Sequence, residues 1–159
     1  MNLDRFIEGQ DCQDSGYATA VAELRRGRKS SHWIWYIFPQ LAGLGHSPTA
    51  RHYEIRDEAE AGDYLRHPVL RERLRTALMI AADHLERGVV LEALMGGPTD
   101  ALKLVSSATL FATAAAQLFP AHEASSAREV GAQAERILHA VREQGFAPCA
   151  TTLRALGRS

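Results

Sequence analysis

Lysine is almost missing from this chain of 159 residues: only Lys29 and Lys103 stand among its 18 cationic side chains, and the rest are arginines. Cysteine is as scarce. Cys12 and Cys149 lie near opposite ends without CxxC spacing, which excludes a disulfide framework and a thiolate zinc site. An excess of charge of one sign is also lacking, since 18 cations face 19 anions. That balance argues against a nucleic-acid binder or a polybasic membrane-surface protein, each of which carries a basic excess or a basic face. No run amounts to the roughly eighteen consecutive apolar residues of a membrane span, and Met1-Asn2-Leu3-Asp4-Arg5 lacks the apolar stretch of a signal peptide. The expectation is a cytoplasmic protein folded as a single domain over residues 1–159, long enough to bury a real core.

What the chain has in quantity is Ala, 26 residues, and Leu, 18 residues, and with Arg these favour helix because they lose little side-chain freedom there. Tyr17, Ala20, Val21 and Leu24 recur at helical spacing before Gly27. Residues 57–65 make a short amphipathic helix, with Ala59, Ala61, Tyr64 and Leu65 among acids. Pro68 suits a first helical position, and Leu70, Leu74, Leu78, Ala81, Ala82 and Leu85 follow as one stripe up to Gly88. A short helix over residues 89–94 precedes Gly96-Gly97. From Pro98 onward the run to Phe119 is apolar on most sides, with Leu102 and Val105 beside the line Leu104, Ala108, Phe111, Ala115, and it predicts a central buried helix. Ser126 and Glu129 have the spacing of a capping box opening a further helix to Gly145, and a last short helix spans residues 151–156. The loops fall at residues 46–48, 96–98 and 120–125. The fold class is all-α: a compact bundle of about six to eight helices with an aromatic-rich irregular segment near residues 30–50.

Four of the eleven aromatics, Trp33, Trp35, Tyr36 and Phe38, fall within six residues, just after Arg28, Lys29 and His32. Such a cluster makes either a core corner or a stacking wall for a flat ligand. Strand would put Trp33, Trp35 and Ile37 on one face, whereas helix would pair Ile34 with Phe38. Gln40, after Pro39, either caps a helix or bonds a ligand. His32 is either a satisfied structural histidine or an acid–base group working near neutral pH.

A second stretch puts Lys103, Ser106 and Ser107 on one side of the apolar helix that starts at Pro98. Directed into a pocket, an ammonium and two hydroxyls suit a phosphate or carboxylate. The alternative is that Lys103 snorkels to water while the serines bond back to the helix. Both lysines of the chain therefore fall in its two unusual stretches.

The residues Ser31-His32-Trp33-Ile34-Trp35-Tyr36-Ile37-Phe38-Pro39-Gln40, Gly43-Leu44-Gly45 with Ser47, Tyr53, His67-Pro68-Val69-Leu70, and Asp100 with Lys103-Leu104, Ser106-Ser107 and Thr109-Leu110-Phe111 resemble the bacterial family called domain of unknown function 1810. The resemblance covers roughly residues 3–120 and fades in the tail after it. It implies a mostly α-helical domain with no established activity, substrate or cofactor. It also marks Ser47 and Tyr53 beside the residues already singled out. The name calpastatin, attached to some members, belongs to a largely disordered inhibitor and conflicts with a chain that is 46% hydrophobic.

Two functions compete. In the first, the chain is a pocket protein that binds or transforms a small anionic ligand of nucleotide or sugar-phosphate type. Trp33 or Trp35 stacks on it, Lys29 and Lys103 meet its charge, Gln40, Ser106 and Ser107 bond it, and His32 or Asp100 moves protons. In the second, the aromatic motif is structural and the chain is a non-enzymatic module that docks a protein. Metal chemistry and nucleophilic catalysis find little support: His32, His46, His52 and His67 fall in no ligand spacing, and Ser106 and Ser107 sit in no GxSxG elbow. No cofactor is expected.

Overall fold

Helices account for nearly all the regular structure in the computed structural model, which describes residues 2–122 and 125–158. They are α1 (Asp4–Gln10), α2 (Tyr17–Arg25), α3 (Ile34–Ile37), α4 (Pro48–Tyr53), α5 (Glu58–Arg66), α6 (Pro68–Glu86), α7 (Leu91–Met95), α8 (Pro98–Leu118), α9 (Ser126–Arg142) and α10 (Ala150–Ala155). The all-α expectation holds. Ten helices among the described residues exceed the expected six to eight because α1, α3 and α4 are too short to display an apolar stripe.

The three longest helices, α6, α8 and α9, make the centre, with α9 packed against both others. α6 buries all six residues of its expected stripe. Pro68 opens it, and the His67 Nδ1 accepts the amide of Leu70 at 3.3 Å, filling the place an oxygen takes in most N-caps. α8 is buried nearly all round, as its composition demands, except that Leu102 is 57% exposed rather than packed beside Val105. α8 is also long and apolar enough to cross a membrane by composition, yet 72% of its most apolar window is covered by the rest of the fold.

Glycine is required at the junction of α7 and α8. Gly96 ends α7 at φ +78°, and a Cβ there would lie 2.7 Å from the carbonyl oxygen of Lys29. Only a residue with no side chain allows both the left-handed turn and this approach of α7 to residue 29.

The α9 cap differs by one residue from the expected one. Ser125, not Ser126, is the N-cap, and its hydroxyl accepts the Arg128 amide at 3.2 Å. Either serine satisfies the local pattern, and the reciprocal glutamate of the capping box is therefore not in register. The loop expected over residues 120–125 lies partly outside the described residues.

Candidate functional site

The aromatic segment takes its shape from a residue that precedes it. Glu23, on the inner face of α2, is 3% exposed, and its carboxylate gathers four donors from residues 30–33. The amides of Ser30 and Ser31 donate to Oε1 at 2.7 and 2.8 Å, the Trp33 indole N–H donates to the same oxygen at 3.0 Å, and the Ser31 hydroxyl donates to Oε2 at 2.5 Å. Burial pushes the carboxyl upward, but these donors outweigh it and hold the group at about 2. Wrapping four donors round one anion bends the chain so that Trp33 enters the core completely. One helical turn then follows, Ile34–Ile37, and the Phe38 amide donates to the Ile34 carbonyl at 3.0 Å. The helical alternative for this segment is thus the observed one.

Lys29 is fixed by four contacts. Its amide donates to the Leu94 carbonyl at 2.8 Å, binding the segment to α7. Its ammonium donates to the Ser31 carbonyl at 2.5 Å and lies 4.8 Å from the centre of the Trp33 ring. It also pairs with the Asp100 carboxylate at 2.8 Å, with the lysine side chain 5% exposed. Asp100 belongs to the first turn of α8, where a carboxylate also complements the helix dipole.

Lys103 lies three residues beyond Asp100 on the same helix, so both lysines meet the opening turns of α8. Its ammonium is 5.4 Å from the centre of the Trp35 ring, and among the described residues it forms no ion pair. The Trp35 indole nitrogen is buried with no hydrogen-bond partner among the described residues. Trp35 and Lys103 line a small cavity of about 10 Å³ together with Gln40, Tyr53 and Glu54. That is room for about one water-sized group.

The walls of this cavity come from four elements. Gln40 is held by the Ile55 amide donating to its carbonyl at 2.9 Å, beside a single parallel bridge between Leu41 and Ile55. Tyr53 ends α4, packed 5.1 Å from the Tyr36 ring, and burial pushes its hydroxyl pKa up. Ser47 sets the start of α4 by accepting the Ala50 amide at 3.1 Å.

Of the residues read from the sequence, Trp35, Gln40, Tyr53 and Lys103 come together. Lys29, Trp33 and Asp100 form a neighbouring, internally matched cluster. Ser47 and His32 are exposed, and Ser47 acts as a helix cap. The His32 imidazole makes no hydrogen bond among the described residues; its carbonyl accepts from the Tyr36 hydroxyl at 3.2 Å. Ser106 and Ser107 are buried farther along α8, the Ser107 hydroxyl without a hydrogen-bond partner among the described residues.

Sequence reasoning passed over Glu23 and Glu54. Glu23 follows Ala20 and Val21 on the buried side of α2, and an acid in an apolar stripe is the signal that was available. A larger open cleft, about 550 Å³, shares Glu54 with the small cavity and is lined by Arg5, Arg51, His52 and Arg56 besides acids. Its size does not make it the better candidate, because Arg5 and Arg56 are already matched by the buried Glu60 at 2.7 and 2.9 Å.

The model of the family described as protein of unknown function (DUF1810) matches residues 1–141, so the likeness runs on into α9, past the point near residue 120 where the motifs fade. A solved structure, that of the conserved hypothetical protein Rv1873 from Mycobacterium tuberculosis, is 34% identical, covers 99% of this chain and 97% of its own, and superposes with a TM-score of 0.75. No curated protein matches the chain.

Proposed function

We propose, for a chain that belongs to the DUF1810 family of proteins of unknown function, that it is a cytoplasmic pocket protein taking the anionic group of a small ligand at Lys103 and Trp35. The observation that carries this reading is that, among the described residues, an ammonium forming no ion pair and a buried indole N–H with no acceptor meet at one cavity. Both groups are donors, and an unmatched buried donor is costly until an acceptor oxygen arrives. A phosphate or carboxylate oxygen supplies it. The cavity admits one such oxygen, so the rest of the anionic group and of the ligand lies outside it, against the partly exposed Trp35 face. Gln40 and Glu54 then offer an amide and a carboxylate to hydroxyls, which suits a nucleotide or sugar phosphate.

The test is thermal shift of the wild type and Lys103→Ala against nucleotides and sugar phosphates. A ligand at about a hundred times its Kd adds about 2.7 kcal/mol of stability, and the expected result is a rise in Tm that Lys103→Ala abolishes. Absence of any shift, or an equal shift in the variant, overturns the reading.

One observation favours the interaction-module reading. Trp33, Tyr36 and Phe38 are buried and Trp33 is committed to Glu23, so three of the four clustered aromatics are scaffold. In that reading the exposed Leu102, next to Lys103 on α8, belongs to a docking surface. Loss of every ligand shift would bring it forward.

A further inference from the structure

Away from this cavity, α8, α9 and the segment that carries α10 enclose an open groove of about 250 Å³. The Cys149 amide donates to the Thr109 hydroxyl at 3.0 Å, which fixes that segment to the middle of α8 and sets Pro148 and Leu153 as the third wall. Ala112 of α8 and Leu138 of α9 complete an apolar lining. A second hollow of about 200 Å³ adjoins the groove, shares Ala112 and Glu135 with it, and continues between Ala115, Ala116 and Ala132. Two threonines of α8 break the apolar floor. Thr109 uses its hydroxyl twice, since it also donates to the Val105 carbonyl at 2.8 Å. Thr113, one turn on, is 9% exposed and lines the groove, and its hydroxyl has no hydrogen-bond partner among the described residues. The rim carries charge of both signs. Glu135, His139 and Arg142 of α9 are exposed, and neither Glu135 nor Arg142 forms an ion pair among the described residues.

We propose that this groove binds an apolar dipeptide with free ends. Glu135 and Arg142 lie about two turns apart on one face of α9, which separates them by about 10 Å at a rise of about 1.5 Å per residue. An extended dipeptide spans about 7 Å, and a charge-assisted contact of about 2.8 Å at each end covers the remainder. The peptide ammonium meets Glu135 and its carboxylate meets Arg142. A free amino acid, with both charges on one carbon, is too short to meet both. A ligand of one charge leaves either Glu135 or Arg142 unmatched. The Thr113 hydroxyl donates to the peptide carbonyl, the acceptor that the fold does not provide. His139, between the two charges, offers a ring nitrogen to the peptide N–H. The apolar side chains of the dipeptide lie in the two adjoining hollows.

The test titrates the full chain with Leu-Leu by isothermal calorimetry, beside N-acetyl-Leu-Leu, Leu-Leu amide and free leucine. Leu-Leu is expected to bind, and each of the other three to bind about fivefold more weakly, the worth of one exposed charge pair. Glu135→Gln and Arg142→Gln, at exposed positions outside the core, reproduce that loss for Leu-Leu. Glu135→Gln adds nothing to the loss already suffered by the N-acetyl form, and Arg142→Gln adds nothing to that of the amide. Thr113→Val, which keeps the shape and removes the hydroxyl, weakens Leu-Leu several-fold. Leu-Leu that fails to bind at millimolar concentration, or blocked peptides that bind as well as Leu-Leu, overturn the proposal. Equal binding of free leucine overturns the dipeptide length, and an unchanged affinity in a folded Thr113→Val overturns the role of the hydroxyl.

Discussion

The Lys29 ammonium lies 2.8 Å from the Asp100 carboxylate, and the pair closes the junction between the aromatic segment and α8. One turn later Lys103 stands without a counterion among the described residues. The two lysines of the chain therefore do opposite work. One is tied into the fold, and the other is the cation that the proposed ligand site uses.

Asp100→Asn leaves the Lys29 charge buried with only the Ser31 carbonyl and the Trp33 ring to compensate it. Because Asp100 keeps 24% side-chain exposure, the loss falls below that of a fully buried pair, at about 2 to 3 kcal/mol. Lys103→Ala changes stability by less than about 0.5 kcal/mol, as substitutions away from such contacts do. Urea unfolding of both variants checks the contrast, and equal losses would refute the division of roles.

Glu23 gives a pH signature. Its folded value of about 2 lies below the ordinary carboxylate value of 4.5, so its stabilisation is complete above the unfolded value and is lost as pH falls through the folded one. The contribution is about 3 kcal/mol near neutral pH, from the shift converted at about 1.4 kcal/mol per unit. Glu23→Gln is expected to lose most of this near neutrality. The gap between variant and wild type then narrows as pH drops from about 4.5 towards about 2. Urea midpoints for both proteins across that interval provide the check, since the other carboxylates cancel in the difference. A gap that stays constant would show that the four donors do not hold Glu23 ionised.

The cap of α9 offers a finer contrast. Ser125→Ala removes the oxygen that accepts the Arg128 amide and costs about 1 kcal/mol, whereas Ser126→Ala, inside the first turn, is close to neutral. Thermal melts of the two variants decide the register, and the reverse order would restore Ser126 as the cap.

The long helices were legible because burial imposes a period: the six apolar positions of α6 face inward as a stripe, and α8 has too few polar residues to lie on a surface. α1, α3 and α4 were not, since one or two turns held by neighbours carry no periodic signal. The convergence of Trp35, Gln40, Tyr53 and Lys103 was legible only as a list of residues, because it depends on how α4 and α8 meet. Glu23 was hidden for another reason. Its one signal was an acid among Ala20, Val21 and Leu24, and the amides that hold it have no letter in a sequence.

α8 is also a matter of timing. It leaves the ribosome before α9, the helix that covers much of it, and in that interval it is a naked apolar rod with the composition of a membrane segment. The nascent chain therefore passes through a stage at which chaperones and membrane-insertion machinery see a segment that the finished protein conceals. The arrival of α9 ends that stage, so a helix made late in synthesis conceals the most apolar helix made before it.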